Sequence, residues 1–129
     1  MKPSTQAGPR VDRVGAPAVL TRAVLRAAEL LELGKGELGR ILGVSDSSIS
    51  RLMAGARQIA PATKEGELAL LLVRLYRSLD AVVGGDAAQR RRWLQSHNRA
   101  LNGRPIDVIG STSGLVFAVA YLDGARATH

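Results

Sequence analysis

Apolar residues recur three and four apart along most of this chain, the period of an α-helix with one buried face. Between Pro17 and Gly34, the residues Val19, Leu20, Val24, Leu25, Ala28 and Leu31 or Leu33 keep that spacing. Pro17 suits a first helical turn, where a missing N–H is no loss. Gly34 is placed to end the helix as a left-handed cap. Leu38, Ile41 and Leu42 then give a second, shorter helix its apolar face. Gly43 offers a position where positive φ costs nothing, and Val44 follows as a buried plug. Ser45 can cap a third helix by accepting from backbone N–H groups two or three residues on. Ile49 and Leu52 pin that helix down, and Gly39, lacking a side chain, lets the two helices cross closely. The joint spacing predicts a helix-turn-helix, whose second helix can enter the DNA major groove.

The longest periodic element runs from Pro61 to Gly84, with Leu68, Leu71, Leu72, Leu75, Leu79, Val82 and Val83 in helical register. Leu70 and Val73 widen its apolar surface beyond one stripe, so part of that surface can face a second subunit. Leu68, Leu71, Leu72, Leu75 and Leu79 are the candidate dimer contacts. Gly84 and Gly85 end the element. Asp86, with Gln89 three residues on, has the form of a capping box opening the next helix. In that helix Trp93 and Leu94 face the core, while Arg90, Arg91 and Arg92 span too wide an arc for one patch and read as a solvated face. Asn98 to Arg104 reads as a turn, and Pro105 starts a short helical turn through Ile109. Ser111 is placed to cap a last helix carrying Leu115, Val116, Val119 and Leu122. The same run has strand character from its β-branched residues and Phe117.

Composition narrows the picture. The 129 residues allow one domain or two very small ones sharing a core. Only four aromatics accompany 46% hydrophobic residues, so the core must be mostly aliphatic, which favours packed helices. No cysteine is present, which excludes disulfides and thiolate metal sites. No apolar run follows Met1 and Lys2, and the runs Leu68–Val73 and Leu115–Leu122 are too short to cross a bilayer. A cytoplasmic protein without a membrane partner is expected. Residues 1–16 mix Pro, Gly, Ser and charge without periodicity and read as a flexible arm, its Lys2, Arg10 and Arg13 within reach of a DNA backbone.

The net charge of +7 raises affinity for polyanions. It is spread rather than gathered, with nine basic against five acidic residues in the first sixty and nine against six in the rest. On the second helix of the helix-turn-helix, Asp46, Ser47, Ser50 and Arg51 face away from Ile49 and Leu52. Arg51 is the long side chain able to make a bidentate contact to guanine. Ser45, Ser47 and Ser50 can bond phosphates or base edges, and Asp46 suits the positive end of the helix dipole. The loop Gly55-Ala56-Arg57 can hold a phosphate through backbone amides and Arg57. Candidate DNA-binding residues are therefore Ser45, Asp46, Ser47, Ser50, Arg51 and Arg57.

No catalytic constellation emerges. His97 and His129 have no spaced partners of the metal-ligand kind. Glu65 and Glu67 point to different sides of one helix, and the serines read as turn and cap residues. An enzyme is not expected, and neither a cofactor nor a metal.

From Trp93 onward the order of residues becomes specific: Arg92-Trp93-Leu94, then Asn98, then Ala100-Leu101-Asn102-Gly103-Arg104-Pro105. Asp107-Val108-Ile109, Ser111-Thr112, Gly114, Val119, Tyr121-Leu122-Asp123 and Arg126 follow. This succession resembles the C-terminal toxin-binding domain of Xre/MbcA/ParS-type antitoxins, in which a W-L…N-x-A-L-G-G-R-x-P…T-x-x-G skeleton follows an Xre-like helix-turn-helix. Asn102 stands where that pattern has glycine.

The resemblance implies an all-α fold with an N-terminal Xre-like helix-turn-helix, a long central helix and a small C-terminal helical toxin-binding domain. The expected division is 1–16 arm, 17–60 DNA-binding and 61–129 toxin-binding and dimerisation. It further implies an antitoxin of a type II toxin–antitoxin pair whose partner is a RES-type, NAD-degrading toxin. The antitoxin's C-terminal region would lie over the toxin's active-site entrance, and the protein would repress its own operon by binding operator DNA as a homodimer. Arg104, Tyr121, Asp123, Arg126 and His129 are the toxin-binding candidates by position. The competing reading is a stand-alone dimeric helix-turn-helix regulator of transcription.

Overall fold

The computed structural model describes residues 15–127. Among them are seven helices, α1 Ala16–Leu30, α2 Lys35–Leu42, α3 Asp46–Met53, α4 Lys64–Val82, α5 Ala87–Gln95, α6 Pro105–Val108 and α7 Thr112–Ala127. The expected arm lies, apart from residues 15 and 16, outside the described residues.

Helix α1 carries Pro17 in its first turn and buries Leu20, Val24, Ala27 and Ala28. Its end differs from expectation. Glu32, at φ 59°, takes the left-handed position, while Gly34 has the extended backbone of an N-cap. Leu33 N donates to Ala28 O and Glu32 N to Glu29 O, the paired bonds of a Schellman turn. The reversal is therefore complete two residues before Gly34. Gly34 opens α2 instead, its N–H donating to Glu37 Oε1 at 2.8 Å.

Between α2 and α3 the expected turn glycine, serine cap and close crossing are found, but Val44 is not the buried plug expected of it. Gly43 is left-handed at φ 74°, and Ser45 Oγ accepts from Ser48 N. A Cβ on Gly39 would stand 2.7 Å from Val44 O, a backbone atom that cannot swing aside, so the crossing of α2 and α3 requires glycine there. Ile49 and Leu52 are buried, and Val44 is half-buried.

Helix α4 is the axis of the molecule. Thr63 Oγ1 caps it by accepting from Gly66 N, and Gly84 and Gly85, both at positive φ, follow its end. Its 19 residues extend about 28 Å. It packs against α1 and against α7, and both flanks are covered. Leu68, Leu72, Leu75 and Leu79 are consequently buried inside the chain's own core, Leu71 is half-buried, and Leu70 points to solvent. Four of the five leucines assigned to a dimer contact thus fill the protomer itself. The apolar cluster runs without a break from Leu20 on α1 to Leu122 on α7.

Asp86 opens α5, its Oδ1 accepting from Ala88 N and Gln89 N. On α5 Arg91 and Arg92 are exposed, as a solvated face requires, but Arg90 is not. Arg90 is 8% exposed at its side chain, donates to Leu30 O at 3.2 Å and to Asp80 Oδ1 at 2.9 Å, and lies over the Tyr76 ring. Arg91 forks onto Glu32. Both reach the end of α1, where a helix leaves carbonyls without intrahelical partners. Asn102, at φ 57°, occupies the left-handed region where the family's pattern has glycine; asparagine tolerates it better than most residues.

Ser111 Oγ accepts from Gly114 N, and the run that follows is helix rather than strand. Leu115, Ala118, Val119 and Leu122 form one buried stripe against α4, whereas Val116 turns outward. A Cβ on Gly114 would stand 2.0 Å from Val108 O, so the start of α7 requires glycine. Among the described residues no helix is long and apolar enough to cross a membrane.

Candidate functional site

Two surfaces stand out. On α3, Asp46, Ser47 and Arg51 are exposed and Ser50 is half-exposed. Ser45 is occupied as a cap, and its Oγ lies 3.1 Å from Ser47 Oγ. Arg51 Nη2 donates to Ser48 Oγ at 3.3 Å, a neutral partner that leaves the guanidinium charge uncompensated.

Lys35 joins this surface from the first turn of α2. Its Nζ donates to Ser50 Oγ at 3.0 Å. In the sequence Lys35 carries no signal beyond its place at the start of the first helix of the pair. The bond spans 15 residues, a distance at which no periodicity reports.

Arg57 is placed differently from the phosphate-holding role expected of it. Its Nη2 pairs with Glu65 Oε2 at 2.9 Å, tying the loop after α3 to the start of α4. Its Nη1 is buried without a hydrogen-bond partner among the described residues.

The second surface belongs to α7. Val116, Phe117 and Tyr121 are 48%, 52% and 38% exposed, and Ala120 and Gly124 share their side of the helix. This face carries no charge. The charged residues of α7, Asp123 and Arg126, bind it to α4. Ser78 Oγ donates to Asp123 Oδ1 at 2.7 Å, Arg74 pairs with the same carboxylate, and Arg126 Nη1 donates to Ser78 Oγ at 3.3 Å. The Ser78 hydroxyl bond, with the Arg74 and Arg126 charges behind it, holds the Asp123 carboxyl below the ordinary aspartate range against partial burial.

Of the C-terminal candidates, then, Tyr121 is presented to solvent, while Asp123 and Arg126 are engaged within the chain. Arg104 is held by Asp107 and Gln95. His129 lies outside the described residues. The sequence does not mark Val116 and Phe117 as surface residues. In a run with strand character, alternation and helical period assign them opposite sides, and only the packing of α7 on α4 decides. Among the described residues no three His, Cys, Asp or Glu side chains come together in a group able to hold a metal ion.

Comparison with protein families gives two adjoining matches. Residues 11–74 match the antitoxin Xre-like helix-turn-helix domain, and residues 78–127 match the antitoxin Xre/MbcA/ParS C-terminal toxin-binding domain. The first match holds the α2–α3 turn and the second holds all of α7. No curated protein matches the chain.

Proposed function

The chain belongs to the Xre/MbcA/ParS-type antitoxins, and from that premise we propose that it neutralises a RES-type, NAD-degrading toxin by covering its active-site entrance. The observation that carries this reading is the uncharged outward face of α7, within the stretch matched as toxin-binding. Three large apolar side chains held half in water by a rigid helix gain free energy when a partner covers them. Aromatic residues so placed are the usual anchors of an interface. Tyr121 and the chain beyond Arg126, including His129, are the elements nearest the toxin's cleft in this proposal. Occlusion asks no chemistry of the antitoxin.

The same chain represses its own operon in this proposal. Arg51, Ser47 and Ser50, with Lys35 beside them, form the DNA-reading surface. One such helix pair offers too little interface for tight specific binding, so two copies on a palindrome are required. Because Leu68, Leu72, Leu75 and Leu79 are buried, the contact between copies falls to surface outside them, where Leu70 is the exposed leucine of α4.

The test is co-expression of the tagged protein with the adjacent reading frame. A stoichiometric co-eluting chain whose NAD consumption returns after separation and refolding supports the proposal, with Phe117→Asp abolishing co-elution. A chain that elutes alone but shifts its own promoter DNA is a stand-alone regulator.

A further inference from the structure

A groove of about 800 Å³ runs between α1 and α3 in the helix-turn-helix half. Its walls are Leu25, Ala28, Leu33, Leu38, Ile49 and Met53. Leu25 and Leu33 are only half-buried and Met53 is 59% exposed, so this apolar surface lies open to water in a helix pair otherwise well packed. The volume falls within the range of small-ligand sites.

The mouth is cationic. Arg22, Arg26 and Lys35 line it against a single carboxylate, Glu29. Glu29 is spoken for by Arg26, in an exposed pair that water screens and a competing anion can displace. Arg22 has no hydrogen-bond or ion-pair partner among the described residues, and Lys35 bonds only the neutral Ser50 hydroxyl.

A smaller hollow of about 240 Å³ adjoins the groove, sharing Arg22, Leu25 and Met53 with it, and Arg57 lines its far side. Arg57 is also the residue whose Nη1 is buried without an acceptor.

We propose that this groove is a binding site for a single-chain amphiphile with a carboxylate head. The tail lies along Leu25, Leu33 and Met53, with Leu38 and Ile49 beneath them, and the head meets Arg22. The occupant rests directly under the helix that presents Ser47 and Arg51, so the ligand is sensed where DNA would be read. The site stands on the geometry of the free chain and does not depend on the toxin reading. A failed toxin capture therefore leaves it intact, and its own failure leaves the antitoxin reading intact.

The probe is dodecanoate below its micelle concentration, titrated into the full-length protein and followed by calorimetry and amide NMR. Saturable one-to-one binding is expected, with shifts at Leu25, Leu38, Ile49 and Met53. Dodecanol, the same tail without the charge, binds about tenfold more weakly, as loss of a charge-assisted contact requires. Arg22→Glu weakens dodecanoate by about tenfold or more, and Met53→Glu abolishes binding; both positions are exposed, so the fold survives. Arg92→Glu, exposed on α5 and outside the lining of both hollows, leaves affinity unchanged. Equal affinity for dodecanol and dodecanoate, indifference to Arg22→Glu, or binding of an acidic amphipathic peptide but not of dodecanoate overturns the proposal.

Discussion

Replacing Arg90 by methionine removes a buried guanidinium while keeping most of its aliphatic stem. Three contacts are lost: the 2.9 Å ion pair with Asp80, the 3.2 Å bond to Leu30 O, and the position 5.6 Å from the centre of the Tyr76 ring. A hydrogen bond between charged groups contributes roughly 1.5–3 kcal/mol. The lower end applies here, because Asp80 is 35% exposed and can rehydrate. The bond to Leu30 O contributes about 1 kcal/mol and the ring contact about 0.5–1 kcal/mol. Methionine returns about 1 kcal/mol through its buried apolar surface. The net loss is about 2–3 kcal/mol.

A buried ion pair can often be exchanged for apolar residues at little cost. That does not apply here, since only one partner is replaced and Leu30 O, at the open end of α1, stays without its donor. Urea unfolding followed by far-UV circular dichroism should show the midpoint fall by about 1 M with unchanged slope. Asp80→Asn in a double-mutant cycle isolates the ion pair. A midpoint within about 0.2 M of the parent protein would mean that Arg90 does not hold α5 to the end of α1, and the reasoning fails.

Other outcomes are equally definite. Gly66→Ala places a Cβ 2.2 Å from Ala60 O and 2.6 Å from Pro61 O, so it should lower stability by about 2–3 kcal/mol, read as the urea midpoint. Leu75→Ala, at a fully buried position on α4, should cost about 3 kcal/mol without changing the oligomeric state. A loss of dimer in that variant before any loss of helix content would contradict the burial. Asp123 has a lowered pKa when folded, so its stabilisation is present above the unfolded value near 4 and lost as pH falls through the folded value. Asp123→Asn should therefore weaken the protein at pH 7, and its difference from the parent should shrink below about pH 4; a difference that grows on acidification reverses the sign and sinks the assignment. Lys35→Ala should weaken operator binding several-fold and reduce the dependence on salt by about one counterion, whereas an unchanged salt slope removes Lys35 from the phosphate contacts.

Much of this protein was determined by its sequence alone. The helix starts followed from residues that act within one turn: Pro17, Ser45, Asp86 and Ser111 do locally what their chemistry prescribes. Gly43 and Gly39 were legible for the same reason, since a positive φ and a close crossing leave few alternatives. The order of residues after Trp93 was specific enough to point to the family.

What the sequence left open depended on groups far away in the chain. Periodicity says that Leu68, Leu72, Leu75 and Leu79 must be covered; it does not say by what, and α1 and α7 cover them from the same chain. Arginine reads as solvated until a carbonyl 60 residues away offers it a partner, as Leu30 O does for Arg90. Glu32 could take the left-handed turn because the Schellman bonds close there, with Arg91 holding its carboxylate. On α7 the stripe that met α4 became core, and Val116, Phe117 and Tyr121 were left outside by elimination. Local chemistry fixes where helices begin and turn; which face meets water is settled only when helices distant in sequence compete for the same surface.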